Sequence, residues 1–396
     1  MLQLNKSGIV QYQSGFFDYI IILYLIVTSG YLSVETNSIN LFLPIFIITI
    51  YIFFKRGNRL DSRFFMTFIF IASIFIIQKY LWGGNWNNIT FPLIRFIAFY
   101  MIAILFLNSF KYIFPKIIYL ICILSLLFWA FDHLFPDFHN LLLSLAKEIP
   151  QTNQNTTRNG LTLFLYSVDN PIILRNSGPF FEPGRFTIVI TIALIINLSF
   201  KKAIFNFQNV ILILTDITTF STSGYLALIT ILTAYIFFNI RKRSYKLILL
   251  IMASLLFISI LKLDFLLEKI ITQADDIGNS NSRFGALFFT FEQIRQSPWF
   301  GYGNSLRLIV DGSISSPNGL GEIIRWWGIP FSLVYFYLLF RGTKEFIGDK
   351  QWQISGFLCL LILAFSQSIT LAPLYYVICF IGLTKKSSNI LPKYST

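Results

Sequence analysis

The sequence predicts an all-α, polytopic membrane protein, on three observations. Hydrophobic residues make up 55% of the 396 positions and charged residues make up 12%, and the mean hydropathy is +0.68. The chain also contains about a dozen apolar runs, each near the roughly 20 residues that a helix needs to cross the hydrocarbon core. These runs lack the alternating polarity of the roughly ten-residue strands of a membrane β-barrel, so helices are expected throughout. Residues 1–396 are therefore expected to form a single integral membrane domain.

Twelve or so transmembrane helices follow from these runs, at roughly 20 residues per span. They are expected near residues 16–34, 39–54, 64–81, 91–109, 113–135, 184–200, 203–219, 223–240, 246–262, 323–340, 352–370 and 373–384.

The Lys and Arg residues of the short connections fall on one side of these spans, which the positive-inside rule assigns to the cytoplasm. Both termini are then cytoplasmic. The residues that set this orientation are Lys55, Arg56, Arg59, Arg63, Lys111, Lys116, Lys201, Lys202, Arg241, Lys242, Arg243, Lys246, Arg341, Lys344, Lys350, Lys385, Lys386 and Lys393.

Two long connections, 136–183 and 263–322, are left on the outer side. Connections of this length are usually functional or disordered. In the second, Ser282 could cap an amphipathic helix in which Phe284, Leu287, Phe288, Phe291 and Ile294 recur at helical spacing. We expect this helix to lie along the membrane face, with a turn-rich stretch after it.

Several arginines lie on the outer side, against the orientation rule. They are Arg158, Arg175, Arg185, Arg283, Arg295, Arg307 and Arg325. Guanidinium groups bind phosphate bidentately and stay charged at physiological pH, so an anionic, membrane-tethered substrate would fit them. The net charge of +13 could instead suggest nucleic acid, but most positive residues serve as topology signals, and no nucleic-acid partner is expected.

Cysteine and histidine give no sign of a disulfide framework or a metal site. Cys122, Cys359 and Cys379 all lie inside apolar runs, and His133 and His139 lack the spacing of metal ligands. Asp275 and Asp276 are an isolated acidic pair rather than a cluster for a divalent ion. No metal and no cofactor are therefore expected.

Four segments resemble one known family. RNSGPFFEPGRF, from Arg175, resembles the Arg-x-x-Gly-x-Phe-x-Glu-Pro signature of Wzy-type O-antigen and capsule repeat-unit polymerases. DITTFSTSGYLAL, SRFGALFFTFEQIRQSPWFGYGNS and SPNGLGEIIRWWG follow in the order seen in the wider O-antigen polymerase and ligase superfamily. The resemblance covers roughly residues 170 to 340, whereas the amino-terminal spans carry no family-specific residues.

The resemblance implies an inverting, metal-independent glycosyltransferase of the bacterial cytoplasmic (inner) membrane. It would join undecaprenyl-diphosphate-linked oligosaccharides, as donor and acceptor, into O-antigen or capsular polysaccharide on the periplasmic face. Membrane lipids and a chain-length regulator are further expected partners. Arg175 and Arg283 are expected to stabilise the leaving diphosphate. Substrate-binding roles are expected for Arg185, Arg295, Asn318 and Arg325.

Glu182 has three possible roles. It could deprotonate the acceptor hydroxyl, it could interact with the dipole at the start of a helix whose first turn contains Pro183, or it could pair with Arg175 or Arg185. Arg185 itself could simply snorkel to the interface, and Arg283 could lie on the solvated face of its helix.

Two other functions compete with polymerase. The ligase branch of the superfamily carries a histidine beside an asparagine where this chain has Pro317 and Asn318, which favours the polymerase branch. A flippase or other transporter of lipid-linked oligosaccharides should contain internal repeats, and no convincing repeat is found.

Overall fold

The computed structural model describes residues 2–4, 10–12, 15–30, 39–83, 86–147, 161–162, 166–168, 175–200, 203–248, 251, 283–303 and 318–384, with the backbone alone for 2–4, 10–12, 88, 146–147, 161–162 and 283–289. Predicted span 246–262 lies almost wholly outside the described residues, as do the first part of the loop 263–322, Arg158 and Arg307.

Helices dominate the described residues, and they form an all-α membrane protein as predicted. The helices are α1 (Phe16–Val27), α2 (Ile39–Lys55), α3 (Ser62–Trp82), α4 (Asn87–Leu134), α5 (Pro136–Lys147), α6 (Pro183–Ser199), α7 (Phe207–Thr218), α8 (Thr222–Asn239), α9 (Arg283–Gln296), α10 (Gly319–Ile347), α11 (Lys350–Ser366) and α12 (Pro373–Ile381). Two short antiparallel hairpins join β1 (Leu2–Leu4) to β2 (Val10–Tyr12) and β3 (Leu161–Thr162) to β4 (Ser167–Val168).

Membrane-spanning capacity is carried by several of these helices. Among the described residues, four helices are long and apolar enough to cross a membrane, namely Ser62–Trp82, Ile89–Leu134, Thr222–Asn239 and Gly319–Ile347. Shorter apolar helices occupy Phe16–Val27, Ile39–Lys55, Pro183–Ser199 and Phe207–Thr218. The chain is therefore a multi-pass membrane protein. The count of about twelve spans, at roughly 20 residues each, and the bounds of the two outer loops stay predictions.

Helix α4 joins two segments that the sequence separates into spans 91–109 and 113–135. At about 1.5 Å per residue, its 48 residues would exceed twice the roughly 30 Å hydrocarbon thickness if they were straight. Residue contacts show instead that the chain crosses the bundle twice within α4. Phe91 contacts Phe42 at the start of α2, and the carbonyl of Leu105 accepts a bond from Arg56 beyond its end.

The second half of α4 returns to the end of the bundle from which the first half came. Ser109 donates to the first turn of α1, whereas Ser125 donates to Asn176, shortly before α6. These two places lie at opposite ends of the bundle, because the amide of Phe181 donates to the carbonyl of Gly30 and joins the end of α1 to the start of α6. We call the end marked by Gly30 and Phe181 the predicted outer end.

Helix α6 lies at the centre of the bundle. All of its residues are buried except Arg185 in its first turn, as is typical of a helix that is apolar on every side and lies inside a bundle. Its contacts with α7 include a hydrogen bond of 3.0 Å from Asn197 to Asn209. The position of Arg185 at the end of this enclosed helix is therefore well fixed.

Helix α10 bends at Gly328, where φ is +78° and ψ is 171°. The bend exposes backbone groups that a regular helix would use internally. A turn that follows α9 forms hydrogen bonds with these groups. The backbone amide of Tyr302 donates to the carbonyl of Arg325 at 2.9 Å, and the backbone amide of Ile329 donates to the carbonyl of Pro298 at 2.8 Å. The buried Gln78 of α3 donates to the carbonyl of Trp326 at 2.8 Å and also to that of Phe300.

Gly301 tests how closely this turn packs on α10. Its φ is +65°, and a Cβ there would lie 2.7 Å from the carbonyl oxygen of Arg325. Gly57 has a similar φ of +68° with nothing within 4 Å of a Cβ, so it is the matched control. Both changes to alanine cost about 1–2 kcal/mol of left-handed strain. We expect Gly301→Ala to cost about 1–3 kcal/mol more through overpacking, measured by thermal unfolding in detergent. Equal losses for both variants would contradict this packing.

Candidate functional site

The segment from Arg175 to Arg185 is held against α4 and α7 by the buried side chain of Asn176. Its amide nitrogen donates to the hydroxyl of Thr218 at 3.1 Å, and its carbonyl oxygen accepts from the hydroxyl of Ser125 at 2.6 Å and from the amide of Gly178 at 2.9 Å. Each bond fixes the segment to a different element or to itself. The backbone next to Arg175 is therefore rigidly placed.

Gly178 is required by the turn that follows. Its φ is +52°, and a Cβ there would lie 2.7 Å from the ring of Phe186. That ring stacks on Phe180, with centroids 5.3 Å apart. The glycine and the phenylalanine of the sequence motif thus serve the same tight turn, which brings the chain from Arg175 back to the start of α6.

Arg175 faces the junction between α7 and α8. The side chain is half-buried, and its Nε donates to the carbonyl of Thr219 at 3.3 Å. Its charge also acts on Tyr225 in the second turn of α8. The structure therefore connects this predicted catalytic residue to two helices that follow it in the sequence.

Glu182 and Arg185 stand together at the start of α6. Glu182 is the N-cap residue in extended conformation, but its carboxylate makes no capping hydrogen bond, and Pro183 follows it as the helix begins. Arg185 lies against Gly30, and its charge interacts with that of Glu182 and, more weakly, with that of Glu322. Its Nε is buried and makes no hydrogen bond within the described residues.

Helix α10 brings a buried carboxylate to the same place. Glu322, only 7% exposed, accepts a hydrogen bond from the hydroxyl of Ser368, and its charge interacts with Arg325 and Arg185. Gln367, beside Ser368, packs against Gly184 of α6. The loop between α11 and α12 thus closes this group of residues.

The remaining predicted binding residues lie in separate surroundings. Arg325 is buried and donates to the side chain of Gln293 in α9 at 3.3 Å. Asn318 caps α10 by accepting from the amides of Leu320 and Gly321 at 3.0 and 3.2 Å. Arg295 is exposed in the last turn of α9.

Arg283 is the first residue of α9, close to the helix start expected at Ser282. The side chain of Arg283 lies outside the described residues. The expected convergence of Arg175 and Arg283 on one diphosphate therefore stays a prediction.

Glu322 and Ser368 were missed at the sequence level. The signal available for Glu322 was an acidic residue three positions before Arg325 in the first turns of an apolar helix. Ser368 gave no signal, because its partner lies 46 positions earlier in the chain.

A second polar cluster, also missed, joins α4, α5 and the β3–β4 hairpin. His139 Nδ1 lies 2.7 Å from an oxygen of Asp132, whose other oxygen accepts from the phenol of Tyr166 at 2.9 Å. Ser167, the next residue, donates from its amide to the carbonyl of Gly178 at 2.6 Å. The cluster therefore fixes the hairpin that supports the Arg175 segment.

Asp216 is fully enclosed between α6, α7 and α8. The hydroxyl of Thr187 donates to its carboxylate, and that of Thr219 donates to its carbonyl at 2.6 Å. These bonds satisfy the buried carboxylate and carbonyl of Asp216 within the bundle, which favours a structural role for this residue.

The turn after α9 carries Tyr302, which lies outside the spans. Burial raises the pKa of this phenol, and the hydroxyl donates to the side chain of Gln296 at 3.1 Å. It therefore remains a hydrogen-bond donor at neutral pH. Among the described side chains, no three His, Cys, Asp or Glu residues lie close enough together to hold a metal ion.

Residues 207–326 match the model of a protein family described as Wzy_C, O-antigen ligase, which confirms the predicted superfamily resemblance. No curated protein and no solved structure matches the chain. The matched region includes α7, α8, α9 and the first turns of α10. It therefore contains Glu322 and Arg325, and it begins after the segment from Arg175 to Arg185, which packs on it through Thr218 and Thr219.

We expect removal of the Asp132 carboxylate to destabilise the β3–β4 hairpin that supports the Arg175 segment. Asp132 is 3% exposed and His139 is 6% exposed, so Asp132→Ala leaves a buried imidazole and phenol without their shared acceptor. Leaving a buried hydrogen-bonding group without its partner costs about 1–3 kcal/mol. Asp137→Ala is the control, because Asp137 is an exposed first-turn residue of α5 worth about 0.3–1 kcal/mol. Thermal unfolding in detergent measures the stability of both variants. A loss of stability in Asp132→Ala no larger than that in Asp137→Ala would contradict the role of this cluster in fixing the hairpin.

Proposed function

We propose that this chain, whose residues 207–326 match the O-antigen ligase family model, is an oligosaccharide repeat-unit polymerase of the O-antigen polymerase and ligase superfamily. It would be an inverting glycosyltransferase that joins undecaprenyl-diphosphate-linked repeat units into O-antigen or capsular polysaccharide. The membrane would be the bacterial cytoplasmic membrane, with both termini cytoplasmic and the reaction on the periplasmic face. A chain-length regulator is a further proposed partner.

The observation that carries this proposal is the position of the two motif arginines. Arg175 contacts Thr219 inside the family-matched region, and Arg185 stands at the end of the enclosed helix α6, close to Glu322 of the same region. Positive charge is expensive at the boundary of an apolar bundle, so its retention there needs a reason. An anionic headgroup arriving from the lipid provides one.

The reaction asks little of the protein beyond charge stabilisation. The acceptor hydroxyl attacks the anomeric carbon of the donor and gives its proton to a base, for which Glu182 is the candidate. The bond from that carbon to the diphosphate oxygen breaks, and the diphosphate leaves with the electron pair. Preorganised donors that face the developing negative charge lower this barrier in a water-poor site. We assign this task to Arg175 and Arg283, with guanidinium groups doing what a metal ion could otherwise do.

Substrate positioning is proposed for Arg185, Arg295, Asn318 and Arg325. Arg185 is the best placed of them for a diphosphate, because its guanidinium is not engaged by hydrogen bonds within the described residues. Asn318 would act through the start of α10, which it caps. The exposed Arg295 would meet a more distant part of the glycan or its lipid headgroups.

Ligase is the second candidate, because the matched family model is described as O-antigen ligase. A ligase transfers a finished glycan to a different acceptor. An assay of the purified protein with lipid-linked repeat units as its sole substrate distinguishes the two functions. A polymerase makes ladders of products, whereas a ligase makes no product until its foreign acceptor is added.

Arginine substitutions test the diphosphate site. We expect Arg175→Ala and Arg283→Ala each to lower the rate of chain extension about 10²–10³-fold, the usual loss for one donor to a developing negative charge. Arg243→Ala is the matched control, since Arg243 is exposed on the predicted cytoplasmic side. Ladder formation is measured on gels, with equal amounts of folded protein. Wild-type ladders from either outer-side variant would remove that arginine from the mechanism.

Glu182→Gln separates the roles of this carboxylate. A general base acts only when it is deprotonated, so wild-type turnover should fall at acidic pH. If Glu182 is that base, the residual turnover of Glu182→Gln loses this acidic limb. If Glu182 only orients Arg185, the variant is slower but keeps the limb. The pH dependence of single-turnover extension is the measurement, and a variant with the wild-type rate and profile would exclude both roles.

A further inference from the structure

We propose that Ser368 is a positioning residue that holds Glu322 away from Arg185, so that this guanidinium stays open to the diphosphate of the substrate. The inference deepens the proposed function and rests on it. It assigns roles to two residues, Glu322 and Ser368, to which the proposed function gives none, and it makes their hydrogen bond a determinant of donor binding.

The geometry of the carboxylate carries the inference. Glu322 points its Oε2 at the hydroxyl of Ser368, which donates to it from the loop between α11 and α12. Arg185 lies close enough for the two charges to interact. Nevertheless, no carboxylate oxygen lies within 4.0 Å of its guanidinium nitrogens among the described residues. Glu322 is therefore near the arginine but is bonded elsewhere.

Arg185 is the group left in need of a partner. It belongs to a helix whose other residues are all buried, and its Nε is buried without a hydrogen bond within the described chain. A charged group in such a place is costly unless it is paired and hydrogen-bonded. The nearest carboxylates, on Glu182 and Glu322, would satisfy it if they could reach it.

The hydrogen bond from Ser368 decides where the Glu322 carboxylate goes. Bonds from a hydroxyl to an ionised carboxylate are stronger than those between neutral groups, so the hydroxyl of Ser368 favours the observed position of the Glu322 carboxylate. Without it, rotation of the glutamate side chain would bring the carboxylate onto the guanidinium. An internal ion pair would then compete with the substrate for Arg185.

The surrounding backbone keeps this arrangement in place. Gln367 packs on Gly184, one residue before Arg185, and the carbonyl of Gly319 accepts from the hydroxyl of Thr370 at 2.8 Å. The loop after α11 is thus fixed both to α6 and to the start of α10. Ser368 therefore stands at a set distance from Glu322 and from Arg185.

Binding of farnesyl diphosphate to the full-length protein in lipid nanodiscs tests the inference without requiring chain extension. We expect Ser368→Ala to weaken binding roughly 10–100-fold, the range that corresponds to one hydrogen bond to a charged group. The double variant Ser368→Ala/Glu322→Gln should bind within about threefold of wild type, because the competing charge is gone. Ser368→Thr, which keeps the hydroxyl, should also bind as wild type does.

Ser366→Ala is the matched control. Ser366 is buried two residues away, and its hydroxyl donates to the backbone carbonyl of Leu363 at 3.2 Å, so its loss should leave binding unchanged. A purely structural Ser368 would lower binding in a way that Glu322→Gln does not rescue.

Three results would overturn the inference. Wild-type affinity in Ser368→Ala would do so, and so would weak binding in the double variant. If Ser368→Ala does not fold, the Glu322→Gln variant is measured by itself. Weaker binding of farnesyl diphosphate by Glu322→Gln than by wild type is then the third result, because the inference requires this variant to bind at least as tightly. Failure of the proposed function looks different: the folded wild-type protein would neither bind farnesyl diphosphate nor extend lipid-linked repeat units.

Discussion

One positive charge without a hydrogen-bonded carboxylate among the described residues, at the end of an enclosed apolar helix, constrains the elements around it. All residues of α6 except Arg185 are buried, so the guanidinium cannot move into the bundle and stays fixed at its end. Glu182, Glu322 and the loop that carries Ser368 are arranged around it. Because a buried charge is tolerated only with compensation, the geometry of these neighbours sets how much of that compensation is left for a ligand.

The site is rigid because separate elements hold each part of it. Asn176 joins the Arg175 segment to α4 and α7, and the pair of Asp132 and His139 fixes the hairpin behind it through Tyr166. On the other side, the bend at Gly328 lets the turn after α9 bond to the open backbone of α10. Preorganisation of this kind is what electrostatic stabilisation of a leaving group requires.

Hydropathy was sufficient for most of the fold, because the apolar runs are long and their polar breaks are clear. The predicted spans 39–54, 64–81 and 184–200 agree closely with α2, α3 and α6. Hydropathy was insufficient at residues 109 to 113. Polar residues there predict a break between two helices, but the backbone remains helical as the chain reverses. The sequence motifs placed Arg175, Glu182 and Arg185 in one short segment. They could not locate Ser368 or Asp132, whose partners are set by tertiary packing and not by spacing.

The arrangement of opposite charges explains why the site need not collapse when it is empty. Two positive groups, Arg185 and Arg325, share the field of one buried carboxylate, yet that carboxylate is bonded to a neutral hydroxyl. Full pairing of Glu322 with Arg185 would require a substrate to break an ion pair before binding. Negative charge held near Arg185 without direct contact avoids this competition, because its field offsets part of the cost of burial while the guanidinium of Arg185 keeps its hydrogen-bonding capacity.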